Sequence, residues 1–262
     1  MSFLEVMRGE SPLVLGLPHT GTRVPQNIEN DLNNNGLAQA DTDWHIDALY
    51  GGLVPDVTTV RTLMHRYVID VNRDPGGASL YPGQNTTALC PVTDFDGKPI
   101  YREGAAPDAA EIKRRARLFH APYHAALTAE VARLKAIHGF VILYDCHSIR
   151  SEIPYLFDDI LPDFNIGTDS GRSCAPAIEE LVKRRCDAAQ GYRTILNGRF
   201  KGGWTTRHYG RPDDGVHAIQ MELAQSAYMF ERPPWTYEID DADRLRAHLG
   251  RILNDLARWR PA

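Results

Sequence analysis

The stretch FVILYDCHS (140–148) decides the fold class of this chain. An apolar run, FVIL, leads directly into an acid, a thiol, an imidazole and a hydroxyl. A short apolar run of this kind is typical of a buried strand. Polar side chains at its end are costly unless they are paired or ligated, and in open α/β sheets this end of a strand is where ligands bind. The stretch therefore predicts a functional site at the end of a buried strand.

Strands and helices alternate around this stretch. Strands are predicted at LVLGLPH (13–19), VTTVRT (57–62), YVIDV (67–71), YRTILNG (192–198) and HAIQMEL (217–223). Helices are predicted over 112–134, with an interruption at Pro122 and a C-cap at Gly139, over 174–189, and over 242–259. Residues 76–108 and 149–170 are predicted loops. The alternation predicts one α/β domain, residues 1–262, built on a mainly parallel sheet.

Composition excludes several classes of protein. The net charge of −5 argues against a nucleic acid or an anionic membrane as the partner. No apolar run approaches the roughly 20 residues that span a bilayer, and the N-terminus lacks the pattern of a signal peptide. The four cysteines are scattered, with no CxxC pair, which favours reduced thiols. We therefore expect a cytoplasmic protein.

Polar residues end three of these segments. His19 follows LVLGL, His147 follows FVIL, and Glu222 lies in QMELAQS. Two imidazoles and a carboxylate from separate elements can form a catalytic zinc site, and hydrolysis there needs a further carboxylate to move a proton. Glu222 is a candidate for that proton transfer. Asp145, on the same strand face as His147, is a candidate for orienting an imidazole.

Simpler interpretations exist for each residue. A histidine at a strand end is often only a hydrogen-bonded loop residue, and Glu222 could form a salt bridge. Asp43, in DTDWHID (41–47), could cap a helix that starts near residue 44. His45 rivals Asp43 as a metal ligand, and the spacing does not choose between them. Asn72 and Arg73, in DVNRDP (70–75), could simply tie down a turn.

Taken together, the segments resemble one known family, the N-formylglutamate amidohydrolases, which act in bacterial histidine degradation. The resemblance covers most of the chain, in order. It rests on PHTGTRVP (18–25), DTDWHIDALY (41–50), HRYVIDVNRDPGGASLYPGQNTT (65–87), YDCHSIRSEIP (144–154), LPDFNIGTDSG (161–171), NGRFKGGWTTRHYG (197–210) and HAIQMELAQSAYM (217–229).

The resemblance implies a fold and a metal site. The fold is a three-layer α/β/α sandwich on a mixed, mainly parallel sheet, similar to that of zinc carboxypeptidases and aspartoacylases. His19, His147 and Asp43 fall on the family's ligand positions for Zn²⁺ or another divalent metal such as Co²⁺. Glu222 falls where the wider group keeps its general acid/base. Thr22 stands where carboxypeptidases have a glutamate ligand, three residues after His19, so this departure leaves the choice of third ligand between Asp43 and His45 open.

The implied substrate, N-formyl-L-glutamate, is a dianion, which predicts cationic groups in the binding site. Arginine can bind a carboxylate through two hydrogen bonds. Arg73 with Asn72, which echo a carboxypeptidase pair, are predicted to bind one carboxylate, and Arg150 or Arg207 the other. Two alternatives stand beside this prediction: another acyl-amino-acid amidohydrolase or carboxypeptidase-like hydrolase, and a non-catalytic protein that binds an acidic amino acid. Sequence leaves the oligomeric state open.

Overall fold

The computed structural model describes residues 3–78, 83 and 85–261, and within these residues seven strands form one mixed sheet. The strands are β1 (Leu4–Met7), β2 (Leu13–Leu17), β3 (Thr58–Thr62), β4 (Val141–Ile149), β5 (Phe164–Gly167), β6 (Thr194–Leu196) and β7 (Val216–Ala224). The sheet order is β1-β3-β2-β4-β7-β5-β6. Strands β3, β2, β4 and β7 run parallel to one another, β1 is antiparallel to β3, β5 is antiparallel to β7, and β6 is parallel to β5. The predicted mixed, mainly parallel sheet is confirmed.

The long helices lie where the apolar periodicity predicts them. They are α1 (Gln26–Glu29), α2 (Asn34–Leu37), α3 (Ile46–Tyr50), α4 (Ala109–Arg115), α5 (Ala121–His138), α6 (Pro176–Asp187), α7 (Trp204–Tyr209) and α8 (Ile239–Arg258). The interruption predicted at Pro122 takes the form of a π-helical turn, Ala116–His120, because proline lacks the N–H that would continue the α-helical ladder. Gly139 ends α5 in the left-handed conformation, at φ 78°.

Helices cover both faces of the sheet and make it the middle of three layers. Ile142, Tyr144 and Cys146 of β4 pack in one core with side chains of α3, α6 and α8. Val141 and Leu143 alternate with them and pack on the opposite face against α5. This alternation is the two-residue period of a strand that is buried on both faces. The predicted α/β/α sandwich is therefore the observed architecture.

The face of β4 and β7 that packs on α5 changes character along its length. Neighbouring residues of the two strands are apolar at the amino end and polar at the carboxyl end. In register the pairs are Val141 with Val216, Leu143 with Ala218, Asp145 with Gln220, and His147 with Glu222. The fold thus uses one half of this face for the core and places titratable groups on the other half.

The prediction of a strand at YVIDV (67–71) is wrong. These residues form turns, with Val68 N bonded to His65 O and Asp70 N bonded to Leu89 O. Side chains also contact main-chain carbonyl oxygens of the segment: Arg115 donates to Val68 O, and His124 Nε2 lies 2.7 Å from Val71 O. The β-branched residues that suggested a strand fill the core beneath α5 instead. Core packing has overridden β propensity here.

Two strands were not predicted from the sequence. β1 is a four-residue edge strand whose residues alternate between half-buried and exposed, and β5 lies inside the predicted 149–170 loop. Both are too short for a periodic signal. The predicted 76–108 loop contains no helix or strand among its described residues, and residues 79–82 and 84 lie outside them.

Cys90, Cys146, Cys174 and Cys186 are buried free thiols. In the part of the chain that the structure describes, every helix is too short or too polar to cross a membrane.

Candidate active site

Three buried side chains from separate elements converge at the carboxyl ends of β2 and β4. His19 follows β2, Asp43 precedes α3, and His147 lies in β4. The Nδ1 atoms of the two imidazoles are 3.1 Å apart, and Asp43 Oδ2 lies 3.7 Å from His19 Nδ1 and 3.2 Å from His147 Nδ1. β2 and β4 are adjacent parallel strands, so their ends meet at one sheet edge. A hydrogen bond from Asp43 N to His19 O, 3.1 Å, brings the third residue to that edge.

The donor atoms and their spacing fit a divalent metal ion. Tetrahedral zinc with ligand bonds of about 2.0–2.2 Å places neighbouring ligand atoms about 3.3–3.6 Å apart. The three separations here run from 3.1 to 3.7 Å. Each of the three residues is no more than 2% exposed, so water does not compete freely for the donors. His19, Asp43 and His147 therefore form a cluster that could hold a metal ion.

A second carboxylate stands behind each imidazole. Asp70 Oδ1 lies 2.7 Å from His19 Nε2, and Asp145 Oδ2 lies 3.0 Å from His147 Nε2. Asp70 is also held by the buried Arg66, whose Nη2 donates to Asp70 Oδ2 over 2.8 Å. Carboxylates in this position fix the tautomer and ring orientation of metal-binding histidines. Asp145, predicted to orient an imidazole, lies close to His147 without a hydrogen bond to it, whereas Asp70, which does bond to His19, was not singled out in the sequence.

The charges of this cluster balance one another in the buried site. Burial alone would raise the pKa of Asp43, but the neighbouring imidazoles of His19 and His147 hold that pKa well below its usual range. Burial alone would lower the pKa of His147, but Asp145 and Asp43 raise it well above its usual value. Asp43 is therefore an ionised carboxylate, as a metal ligand must be.

His45 points away from this cluster. Its Nε2 lies 2.6 Å from Trp235 O, its backbone is left-handed at φ 60°, and it occupies the N-cap position of α3. Asp43 does not cap that helix. Its Oδ2 instead accepts a hydrogen bond of 3.1 Å from Ser148 N, next to His147. The structure thus brings Asp43, and not His45, to the two imidazoles.

Glu222 lies beside His147 on the neighbouring strand. The two residues are in register between β4 and β7 and share a face of the sheet. Glu222 is 7% exposed, and Gln220 Nε2 donates to its Oε2 over 3.1 Å. Burial raises its pKa to about 8. A buried carboxylate with a pKa near neutrality can both accept and return a proton, which is what general acid–base catalysis requires.

A pocket opens over Glu222 and the imidazoles. Arg73 lies in its wall, where its Nε and Nη2 donate to the carbonyl and hydroxyl oxygens of Thr87 over 2.9 and 3.0 Å. Polar and basic side chains on several separate segments form this wall. The lining residues are His19, Arg66, Asn72, Arg73, Asn85, Thr86, Thr87, Phe95, His147, Ile149, Leu156, Arg199, Phe200, Gly203, Gln220 and Glu222.

Asn72 is tied to the catalytic side of this pocket. Its Nδ2 lies 3.1 Å from His147 Nε2, and its Oδ1 accepts from Thr205 N over 2.8 Å at the start of α7. Gly203 allows this approach, since a Cβ there would stand 2.3 Å from the Asn72 amide nitrogen. Gly203 therefore lets the chain pack closely against the Asn72 side chain.

The structure does not bring Arg150 and Arg207 to the described lining of this pocket. Arg150 pairs with Asp96 Oδ1 at 3.1 Å, and Arg207 Nε lies 3.5 Å from Asp169 Oδ1. Among the arginines that do line it, Arg66 and Arg199 were missed in the sequence. Arg66 directly precedes the segment 67–71 that was predicted as a strand, and Arg199 lies in a loop without periodicity.

An α/β sheet that brings two imidazoles, ionised carboxylates and a basic pocket to one edge is typical of a hydrolase for a small anionic substrate. Comparison with known families agrees with this class. The model of the N-formylglutamate amidohydrolase family matches residues 11–229. The chain belongs to that family, as its sequence motifs predict.

Curated relatives and solved structures match nearly the whole chain. N-formylglutamate deformylase of Pseudomonas aeruginosa is 46% identical over 257 residues, 98% of this chain and 96% of the relative. The enzyme of the same name from Pseudomonas putida is 44% identical over 258 residues, again 98% and 96%. The crystal structure of N-formylglutamate amidohydrolase from Ralstonia eutropha superposes with a TM-score of 0.81 at 27% identity, covering 98% of both chains. A gene product of Agrobacterium tumefaciens, 18% identical with a TM-score of 0.71 over 98% and 96%, shares the fold.

Proposed function

We propose that this chain hydrolyses N-formyl-L-glutamate to formate and L-glutamate. The observation that carries the proposal is the position of Glu222, a buried carboxylate beside the His19–Asp43–His147 cluster and in the lining of a basic pocket. The curated relatives, named N-formylglutamate deformylase and 44–46% identical, support the choice of substrate. The reaction would serve histidine degradation, as the family resemblance implies.

The proposed cofactor is Zn²⁺, or another divalent metal such as Co²⁺, held by His19, Asp43 and His147. Two nitrogen donors and one oxygen donor suit zinc and leave room for a further ligand. When bound, the metal supplies Lewis acidity, which polarises the formyl carbonyl and makes water more acidic. Asp70 orients the His19 imidazole through a hydrogen bond, and the Asp145 carboxylate lies 3.0 Å from His147 Nε2.

Glu222 is the proposed general acid/base. Its carboxylate accepts a proton from the attacking water and then donates it to the nitrogen of the leaving glutamate. Two observations support this role: Glu222 is in register with His147 on the neighbouring strand, and Gln220 Nε2 donates to its Oε2. A raised pKa suits both steps, because the group must gain and lose the proton within one cycle.

Asn72 and Arg73 are the proposed binding residues for the α-carboxylate of the substrate. That carboxylate is one carbon from the scissile amide, so it must bind close to the cluster. Asn72 lies 3.1 Å from His147 Nε2, and Arg73 Nε lies 3.9 Å from Asp70 Oδ2, the partner of His19. Arg150 and Arg207 stay predictions from the sequence alone, because neither lines the described pocket.

A substrate panel tests the proposal. Formate release from N-formyl-L-glutamate should greatly exceed turnover of the acetyl and formimino analogues, and a chelator should abolish it. Preference for another acyl group would assign the chain to a different amidohydrolase, and binding without turnover would indicate the non-catalytic alternative. A single domain over residues 1–262 and a cytoplasmic location remain predictions that accompany this function.

A further inference from the structure

Arg199 lies in the wall of the pocket, in the loop that follows β6. Three arginines belong to the described lining: Arg66, Arg73 and Arg199. Arg66 is buried against protein carboxylates, with its Nη1 3.5 Å from Asp43 Oδ1 and its Nη2 2.8 Å from Asp70 Oδ2. Its charge therefore balances the cluster. Arg73 and Arg199 are the other two arginines of that lining, and two cations in one pocket suit a dianionic substrate.

Main-chain carbonyls from two separate segments hold the Arg199 side chain. Its Nε donates to Leu156 O and its Nη2 to Asn85 O, each over 3.1 Å, and its guanidinium stands 5.5 Å from the centre of the Phe200 ring. Hydrogen bonds to these two carbonyl oxygens fix the orientation of the guanidinium. A cation that is already oriented loses less side-chain entropy when it binds an anion.

Arg73 and Arg199 hold the same short segment of the chain. Arg73 donates to Thr87, and Arg199 donates to Asn85, two residues earlier. Residues two apart are separated by at most about 7 Å even in a fully extended chain. The segment 85–87 therefore links two oriented cations in one wall of the pocket.

We propose that Arg199 binds the side-chain carboxylate of the substrate and so selects an acidic amino acid. The proposal rests on the proposed function and adds a specificity-determining residue to it. Arg73 is linked through Asp70 to His19, which assigns it to the carboxylate nearest the scissile bond. Arg199, held by Leu156 and Asn85 and stacked near Phe200, serves the distal carboxylate.

The test compares N-formyl-L-glutamate with N-formyl-L-glutamine, which has the same shape but a neutral side chain. Arg199→Gln should lower kcat/KM for the glutamate substrate about 10- to 100-fold, the usual effect of losing a charge-assisted hydrogen bond. Its kcat/KM for the glutamine substrate should stay within about twofold of wild type, so that the preference between substrates collapses. Arg199→Lys keeps the positive charge but not the bidentate guanidinium geometry, so its kcat/KM for N-formyl-L-glutamate should fall less than that of Arg199→Gln.

Arg193→Gln is the matched control. Arg193 also donates to two main-chain carbonyls, Ile160 O and Leu161 O, but it is exposed and outside the described pocket lining. It should leave both kcat/KM values unchanged. Equal losses of Arg199→Gln on both substrates, measured on folded protein, would assign Arg199 a structural role and overturn the proposal, as would an unchanged preference.

Failure of the proposed function gives a different result, since wild type would then release no formate from N-formyl-L-glutamate. In that case calorimetry with L-glutamate and L-glutamine still tests Arg199. Wild type should bind the acidic amino acid more tightly, and Arg199→Gln should abolish that difference. A difference that survives in the variant would overturn the proposal.

Discussion

His147 and Glu222 stand side by side, in register, on the adjacent parallel strands β4 and β7. One residue belongs to the cluster that could hold a metal, and the other is a buried carboxylate whose pKa burial raises to about 8. The pairing of β4 with β7 therefore fixes the relative position of His147 and Glu222, which does not depend on loop conformation. Sites on regular elements hold their geometry more tightly than sites on loops.

The third ligand is tested by comparing Asp43→Ala with His45→Ala. We expect Asp43→Ala to lose bound metal, because its Oδ2 lies 3.2 Å from His147 Nδ1, and His45→Ala to keep it, because that ring contacts Trp235 O. Metal per folded chain, measured by elemental analysis, checks this. Full metal content in Asp43→Ala and loss in His45→Ala would reverse the assignment.

The raised pKa of Glu222 predicts a pH-dependent difference in stability between metal-free wild type and Glu222→Gln. Below pH 4.5, the ordinary pKa, the carboxyl is protonated in both folded and unfolded protein. Between 4.5 and about 8 the unfolded chain releases its proton while the folded protein retains it, which favours unfolding. Wild type should therefore lose stability relative to Glu222→Gln across this range. Denaturant unfolding at several pH values checks the slope, and a constant difference would contradict the buried, protonated carboxyl.

Arg73→Lys should raise KM for N-formyl-L-glutamate about 10- to 100-fold with metal content unchanged, because lysine cannot reproduce the bidentate fork. Steady-state kinetics with metal analysis checks this. Arg102→Lys is the control, since Arg102 also donates to a main-chain carbonyl, that of Leu32, but lies outside the described pocket lining. An unchanged KM in Arg73→Lys would leave Arg73 a structural role through its contacts with Thr87 and Asp70.

Much of the fold follows from local pattern. Buried apolar runs gave β2, β4 and β7, and helical periodicity gave α5, α6 and α8. The strand prediction for 67–71 was wrong. The β-branched residues of this segment are buried under α5, and their burial there does not require a strand conformation. The edge strand β1 and the short β5 carry too few residues for any period.

The site was predictable where polar residues end strands. His19, His147 and Glu222 stand at such ends, and Asn72 and Arg73 reach the same pocket. Asp70, Arg66 and Arg199 were not predictable, because their roles depend on how turns and loops fold back on the sheet. Asp70 meets His19 across 51 positions of sequence, a separation that no local pattern encodes.

The most direct test of the account is kcat of Glu222→Gln per folded, metal-loaded molecule. The amide keeps the size of the side chain but cannot accept a proton, so kcat should fall roughly 10²- to 10⁴-fold while metal and substrate still bind. Glu130→Gln is the control, because Glu130 is a buried glutamate that is paired with Arg8 and Arg133 outside the described pocket lining, and its kcat should be unchanged. A kcat of Glu222→Gln within a few-fold of wild type would contradict the assignment and leave Asp145 as the next carboxylate to test.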